Sequence, residues 1–234
     1  MAKKKKKVLQ ETARKVISFT NPRSFVAEQF RTLRTNINFS SPDSDIRSLL
    51  VTSAAPSEGK STASANLAVV FAQEGKRVLL VDADMRKPTT HYTFHMGNTQ
   101  GLSSVLTRQI DAEAAIRETA IDGLSLLTCG PIPPNPAELL ASKSMDMLIE
   151  QMKETYDIII FDAPPVLSVT DGQILASKCE GTILVVNSGT TEKEMALKAK
   201  EAIASSNSRL IGAVLNNFIL PKDNYYYQYY GAEK

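Results

Sequence analysis

The sequence is poor in cysteine and has no long apolar run. Its 234 residues include two cysteines, Cys129 and Cys179, which are too few for a disulfide framework and lack the spacing of metal ligands. No window approaches the roughly 20 apolar residues that a membrane-spanning helix needs. The N-terminus also lacks the apolar core of a secretory signal. We therefore expect a cytoplasmic protein without disulfide, zinc or redox chemistry.

Positive charge is concentrated at the start of the chain. Residues 1–15 contain seven lysines and arginines against one acid, a net charge of +6, whereas the whole chain carries +2. The remaining residues therefore carry −4. Such a basic segment fits either a solvated tail or contact with anionic lipid. Because the body is acidic and has no nucleic-acid recognition motif, we expect no nucleic-acid partner.

Short apolar segments alternate with helical patterns along most of the chain. The predicted strands are residues 48–53, 77–82, 124–128, 157–162, 182–187 and 210–216. The predicted helices are residues 22–39 (with Asn21 as N-cap), 60–73, 137–153 and 191–205, with shorter helical pieces at 103–107 and 111–118. This alternation predicts an α/β fold, a doubly wound and mainly parallel sheet flanked by helices. We expect a basic tail at 1–20, one domain at 21–220 and a tyrosine-rich tail at 221–234.

A phosphate-binding sequence follows the first predicted strand. Residues 54–62 read AAPSEGKST, which is G-x-x-x-x-G-K-[ST] with Ala54 in place of the leading glycine. A strand before the loop and a helix after it would aim backbone N–H groups and a helix N-terminus at phosphate oxygens. We expect Lys60 to reach the β- and γ-phosphates and Ser61 to bind Mg²⁺. The candidate ATP-binding residues are Ser57, Glu58, Gly59, Lys60, Ser61 and Thr62.

Two further predicted strands end in acids. One ends at Asp82, followed closely by Asp84, and another ends at Asp162. The carboxyl ends of parallel strands share one edge of the sheet, where ligands of open α/β sheets bind. The three carboxylates are therefore expected beside the phosphate loop, an arrangement that indicates a metal-nucleotide site. Any one of these acids alone would be explained by solvation at a strand end.

Four further motifs occur together in the chain. Residues 79–88 read LLVDADMRKP, residues 158–165 read IIIFDAPP, and residues 130–140 read GPIPPNPAELL. The fourth motif consists of Glu28, Arg31 and Arg34 at spacings of three. This combination resembles the bacterial tyrosine kinases, the P-loop tyrosine autokinases of capsular and exopolysaccharide biosynthesis, in which the corresponding motifs are a second Walker motif, a Walker B motif, a proline-rich hallmark and a helical assembly motif.

The resemblance implies an ATP- and Mg²⁺-dependent protein-tyrosine autokinase that regulates polysaccharide synthesis and export. It implies that Asp82, Lys60 and Asp84 are catalytic, with Asp82 acting on the incoming tyrosine hydroxyl. Mg²⁺ would be held by Ser61, Asp84 and Asp162, directly or through water. The pKa of tyrosine exceeds that of aspartate by about six units, so prior deprotonation would cost about 8 kcal/mol and the proton is expected to move late. Arg86 is either a phosphate contact or the partner in a surface or inter-subunit ion pair.

The end of the chain concentrates tyrosine. Five of the seven tyrosines are Tyr225, Tyr226, Tyr227, Tyr229 and Tyr230. Beside a kinase-like site, we expect an autophosphorylation cluster in preference to an adhesive low-complexity tail. Each phosphate adds about −1.5 to −2 charges, so modification is expected to loosen an assembly.

The first long predicted helix carries two separate faces. Its apolar face consists of Val26, Phe30, Leu33 and Ile37 and is expected to dock on the core. Glu28, Arg31 and Arg34 are expected on another face that is free to meet a neighbouring subunit. We therefore expect a homo-oligomer, a head-to-tail ring in which each tail enters the next active site.

The resemblance also implies partners and a location. These are a transmembrane adaptor that activates the kinase and recruits it to the inner face of the cell membrane, protein-tyrosine substrates and a cognate phosphatase. The alternative function is a MinD/ParA-like ATPase switch or scaffold. That group carries a second lysine five positions before the invariant one, where this chain has Ala55. This difference and the tyrosine tail favour the kinase.

Overall fold

The computed structural model describes residues 15–41 and 45–219. The strands are β1 (Ser48–Ser53), β2 (Val78–Asp82), β3 (Arg117–Glu118), β4 (Leu124–Leu127), β5 (Ile158–Asp162), β6 (Gly181–Asn187) and β7 (Leu210–Asn216). The helices are α1 (Ile17–Thr20), α2 (Phe25–Phe39), α3 (Lys60–Ala72), α4 (Thr90–Thr93), α5 (Leu102–Leu106), α6 (Ala112–Ala115), α7 (Pro136–Ala141), α8 (Lys143–Thr155), α9 (Asp171–Lys178) and α10 (Lys193–Ser205). Most of the basic segment and the five clustered tyrosines lie outside the described residues.

The seven strands form one sheet in the order β3-β4-β2-β5-β1-β6-β7. Every pair is parallel except β3 with β4, which is antiparallel. The predicted doubly wound, mainly parallel fold is confirmed. The two-residue strand β3 was not predicted, because it occupies the end of a segment that has a helical pattern over residues 111–118.

Apolar packing on both faces of the sheet holds the fold together. Every residue of β1, β2 and β5 is buried. On one face these strands pack against α3, whose largest buried side chain is Phe71, and on the other against α8 and α9. Fully burying a Leu, Ile or Phe side chain contributes about 1.5–3 kcal/mol. This two-sided packing fixes the carboxyl edge that carries the candidate site.

Two of the helix boundaries that differ from the prediction are set by serine N-caps. Helix α2 begins after Ser24, whose hydroxyl accepts a hydrogen bond from the Ala27 N–H at 3.2 Å, and not after Asn21. The predicted helix 137–153 is divided at Ser142, whose hydroxyl accepts from Met145 N at 3.3 Å. In both cases a serine hydroxyl satisfies one of the unpaired N–H groups of a first helical turn.

The predicted boundary of the basic tail at residue 20 is wrong. Val16 is buried and helix α1 follows it. The Ser18 N–H donates to Asn66 Oδ1 at 2.8 Å, and the Ser18 carbonyl accepts from Gln73 Nε2 at 3.0 Å. Both partners belong to α3 or its C-terminal end, so the body of the protein begins by residue 15 or 16.

Helix α2 docks on α3 through a face that was only partly predicted. Ile37 and Ala27 are buried, and Phe30 and Leu33 pack against the core. Val26 is 49% exposed, so its predicted place in the core is wrong.

No helix in the described part of the chain is long and apolar enough to cross a membrane.

The predicted outward position of Arg34 is also wrong. Its guanidinium donates to the Val70 carbonyl at 2.6 Å and lies 3.5 Å from the Glu74 carboxylate. Arg34 follows the fully buried Ala27 by seven residues, which is close to two helical turns, so both lie on the docked face. By contrast, Glu28 and Arg31 form an exposed pair at 2.7 Å.

Candidate nucleotide site

The phosphate-binding sequence forms a loop between β1 and α3, as predicted. Ser57 has φ +67° and Gly59 has φ +97°, both in the left-handed region. A Cβ at Gly59 would lie 2.0 Å from Asn216 Nδ2, so only glycine fits there. Lys60 is the first residue of α3, a buried helix of 13 residues whose N-terminus faces this loop. A helix N-terminus of this kind favours anions.

Lys60 turns toward the acids of the neighbouring strands. Its Nζ lies 2.9 Å from Asp84 Oδ2, 3.6 Å from Asp162 Oδ1 and 3.3 Å from Ser61 Oγ. Burial lowers the pKa of Lys60, but Asp162 and Asp84 outweigh that effect, and the pKa is raised above its usual value. The side chain is therefore a buried ammonium ion.

The carboxylate of Asp84 has a donor on each oxygen. Oδ2 accepts from Lys60, and Oδ1 accepts from the backbone N–H groups of Arg86 at 3.3 Å and Lys87 at 3.0 Å. Asp84 Oδ2 is therefore shared between Lys60 and any metal ion that binds there.

Asp82 is closed to solvent. Its Oδ2 accepts from the N–H groups of Thr89 and Thr90 at 3.1 and 2.9 Å, whereas Oδ1 is buried and has no hydrogen-bond partner among the residues that the structure describes. Burial and the neighbouring Asp162 raise the pKa of Asp82 to about 7. A tyrosine hydroxyl can therefore reach this carboxylate only after the groups that cover it move.

The donor set fits Mg²⁺. Asp162 Oδ1 is buried and, like Asp82 Oδ1, has no hydrogen-bond partner within the described part of the chain. The Ser61 hydroxyl lies within 3.3 Å of the ammonium that also approaches Asp162. Within residues 15–41 and 45–219, no three His, Cys, Asp or Glu side chains are arranged to hold a metal ion by themselves. This suits Mg²⁺, which takes one or two carboxylates and completes its shell with phosphate oxygens and water.

The Arg86 side chain forms an ion pair with Asp171 of the same chain. Its Nε and one terminal nitrogen donate to the two oxygens of Asp171 at 2.8 and 3.0 Å. Asp171 is fully buried at the start of α9, while the Arg86 side chain is 44% exposed. Arg86 is therefore an ion-pair partner within the chain, and its phosphate contact stays a prediction.

The structure thus brings Lys60, Ser61, Asp82, Asp84 and Asp162 together at one edge, although these residues come from three separate parts of the sequence. Ser57 is exposed in the loop, and Thr62 lies on α3. Within residues 15–41 and 45–219, neither side chain forms a hydrogen bond with the acids. Asp171, Thr191 and Asn216 were not predicted from the sequence. Asn216 ends β7, so the same strand-end argument that found the acids would have found it.

Comparison with known proteins gives consistent matches. A model described as an AAA domain matches residues 57–190. The chain is 53% identical over 220 residues to tyrosine-protein kinase YwqD of Bacillus subtilis, covering 94% of this chain and 92% of that protein. It is 40% identical to tyrosine-protein kinase CpsD of Streptococcus agalactiae, covering 81% and 82% of the two chains. The crystal structure of the chimerical protein CapA2B2 superposes with a TM-score of 0.85 at 43% identity, covering 89% of this chain and 93% of that one.

Proposed function

The chain belongs to the bacterial tyrosine kinases, and from this membership we propose that it transfers the γ-phosphoryl group of ATP to tyrosines of its own C-terminal cluster. The acceptors are Tyr225, Tyr226, Tyr227, Tyr229 and Tyr230. The observation that carries the proposal is the position of the Lys60 ammonium, between a helix N-terminus and the carboxylates of Asp84 and Asp162. Phosphoryl transfer depends mainly on such positioning and on neutralising the charge of the phosphates.

Lys60 has two roles in this proposal. Without nucleotide, its ammonium neutralises Asp84 at 2.9 Å. When ATP binds, the phosphates compete for the same ammonium, which moves toward them and frees Asp84 Oδ2. Ser61, Asp84 and Asp162 would hold Mg²⁺, which would neutralise charge on the phosphates. ATP binding would therefore both engage Lys60 and open the metal site.

Asp82 is proposed to orient the tyrosine hydroxyl. The two backbone N–H groups on Oδ2 fix the carboxylate and leave Oδ1 as its open acceptor. A hydroxyl that donates to Oδ1 would be held in place, and its proton would pass to this oxygen late, as the bond to phosphorus forms. Entry of the acceptor tyrosine must displace the groups that now bury Asp82.

We propose that transfer occurs between subunits of a ring and that its purpose is control of polysaccharide synthesis and export. The exposed Glu28–Arg31 pair is the subunit contact in this proposal, while Arg34 contributes by fixing α2 on α3. A transmembrane adaptor would recruit the kinase to the inner face of the membrane, and other proteins would serve as tyrosine substrates. A cognate phosphatase would reverse the modification.

A mixing experiment tests the proposal. The variant Lys60→Met with an intact tail is mixed with an active chain that lacks residues 224–234, and phosphotyrosine is measured with γ-labelled ATP. Neither protein alone should become labelled, whereas the Lys60→Met chain should become labelled in the mixture. Absence of label in the mixture would exclude transfer between subunits. Release of inorganic phosphate alone by the unmodified protein would support the ATPase switch instead.

A further inference from the structure

Glu58 is a buried acid within the phosphate-binding loop, and its carboxylate has no cationic partner among the residues that the structure describes. The side chain is only 4% exposed. Its Oε2 accepts from the Ala55 N–H at 3.0 Å, and its Oε1 accepts from the Thr191 hydroxyl. Both oxygens therefore have donors from the protein, and one of these donors lies 133 residues away in the sequence.

These contacts connect the loop to strands β6 and β7. The Thr191 hydroxyl oxygen also accepts from the N–H of Asn187, the last residue of β6, at 3.0 Å. The backbone carbonyl of Glu58 accepts from Asn216 Nδ2, at the end of β7, at 3.0 Å. The loop is thus held from the β6 and β7 side of β1, while the carboxylates that face Lys60 lie on the β5 and β2 side.

The loop needs such support because its backbone is unusual. Ser57 has φ +67°, a conformation that residues with a side chain rarely adopt, and Gly59 follows at φ +97°. A non-glycine residue persists in this region only where its surroundings over-determine the conformation. Glu58 lies between the two and is held through both its side chain and its carbonyl group.

We propose that Glu58 and Thr191 form a clamp that holds the phosphate-binding loop in the shape that accepts the triphosphate. Glu58 is then a positioning residue, and its carboxylate does not touch the nucleotide. A carboxylate aimed at the phosphates would repel them, whereas one whose two oxygens are bound to Ala55 and Thr191 shapes the loop from behind. This inference rests on the proposed nucleotide site and extends it to two residues outside the acid cluster.

The test compares substitutions at both ends of the clamp in the full chain. Glu58→Ala and Thr191→Val each remove the contact, whereas Glu58→Gln and Thr191→Ser keep atoms that can make it. The exposed neighbour Thr190→Val is the matched control. Affinity for Mg²⁺·ADP is measured by calorimetry, and KM for ATP and kcat are measured by phosphotyrosine formation. Thermal unfolding verifies that each variant folds.

We expect Glu58→Ala and Thr191→Val to weaken ADP binding and to raise KM about tenfold, the size expected from losing a hydrogen bond to a charged group, with kcat within about twofold. The double variant should be no worse than Glu58→Ala alone, because both changes break one contact. Glu58→Gln, Thr191→Ser and Thr190→Val should bind like the unmodified protein.

Three results would overturn the clamp: unchanged ADP affinity in Glu58→Ala and Thr191→Val, additive losses in the double variant, or a Glu58→Gln variant as weak as Glu58→Ala. Because ADP binding is measured apart from phosphotransfer, a failure of the proposed kinase reaction is recognised separately. In that case no phosphotyrosine forms, yet the pattern of ADP affinities still decides the clamp.

Discussion

The ammonium of Lys60 lies 2.9 Å from Asp84 Oδ2 and is shared among three buried acids. Asp162 Oδ1 is 3.6 Å away, and Asp82 also acts on the lysine through space. Asp82, Asp84 and Asp162 are each less than one tenth exposed. With one lysine among three carboxylates, the site without ligand carries excess negative charge, which a magnesium ion can offset.

Replacing Lys60 with methionine should therefore damage both stability and activity. The change leaves buried carboxylates without their counter-ion, a loss of about 3–5 kcal/mol in the free energy of unfolding for a broken buried pair. Phosphotransfer should fall below detection, because the phosphates lose their buried cation. Urea unfolding and transfer of γ-labelled phosphate measure the two effects.

The double variant Lys60→Met/Asp84→Asn is the control for that explanation. Neutralising Asp84 removes part of the charge that the lysine had balanced, so at least half of the lost stability should return while activity stays absent. A double variant as unstable as Lys60→Met would show that lost packing, and not charge, causes the damage.

Asp82→Asn should stabilise the ligand-free protein at neutral pH. Burial and Asp162 raise the pKa of Asp82 from 3.8 to about 7, so the folded protein binds this proton more tightly than the unfolded chain does. The stabilisation that protonated Asp82 contributes to the folded state is fully present below about pH 4 and is lost as the pH rises toward 7. Asparagine imitates the neutral form, so the variant should be more stable than the unmodified protein above pH 7 by on the order of 4 kcal/mol.

Denaturant unfolding between pH 4 and pH 8, without nucleotide or metal, measures this difference. It should shrink toward zero near pH 4, where the unmodified Asp82 is itself protonated. Saturating Mg²⁺·ADP should stabilise the unmodified protein more than the variant. If the difference in free energy of unfolding stays constant with pH, Asp82 does not have a raised pKa in the folded protein.

The sequence was sufficient to predict the central part of the site because its geometry is fixed by simple rules. Buried parallel strands are recognisable as apolar runs, and their carboxyl ends must meet at one edge. The sheet therefore brings together Asp82, Asp162 and the Lys60 loop, independently of how the other loops fold. The extent of burial of Asp82 was not predictable, since it depends on how residues 83–90 fold back over the strand.

Contacts between distant side chains were not predictable in the same way. Arg86 and Asp171 are 85 residues apart, and Glu58 and Thr191 are 133 apart. Nothing in local periodicity links such pairs, because they depend on the packing of α9 and α10 against the sheet. The position of Arg34 was not predicted for a related reason. The seven-residue spacing from Ala27 places both residues on one face of α2, but the sequence does not indicate how deeply that face docks on α3.

Arg86→Met should destabilise the protein by leaving Asp171 buried and unpaired. The expected loss is about 2–3 kcal/mol, below that of a fully buried pair because the arginine is 44% exposed. The variant Arg86→Met/Asp171→Asn should recover most of this stability and retain kcat, as measured by chemical unfolding and phosphotyrosine formation. Recovered stability with a large loss of kcat would instead assign Arg86 to the phosphates.

The two arginines of α2 should behave differently when each is replaced by alanine. Arg31 forms an exposed pair with Glu28, worth about 0.2–0.5 kcal/mol, and donates to the Pro22 carbonyl at 2.6 Å, so Arg31→Ala should lower the free energy of unfolding by about 1 kcal/mol at most and reduce the mass of the oligomer measured by light scattering. Arg34 binds the Val70 carbonyl and Glu74, so Arg34→Ala should lower the free energy of unfolding by about 1–3 kcal/mol. Glu28→Ala serves as the control, since it should reproduce the effect of Arg31→Ala. An unchanged oligomer in both Arg31→Ala and Glu28→Ala would remove this pair from the subunit contact.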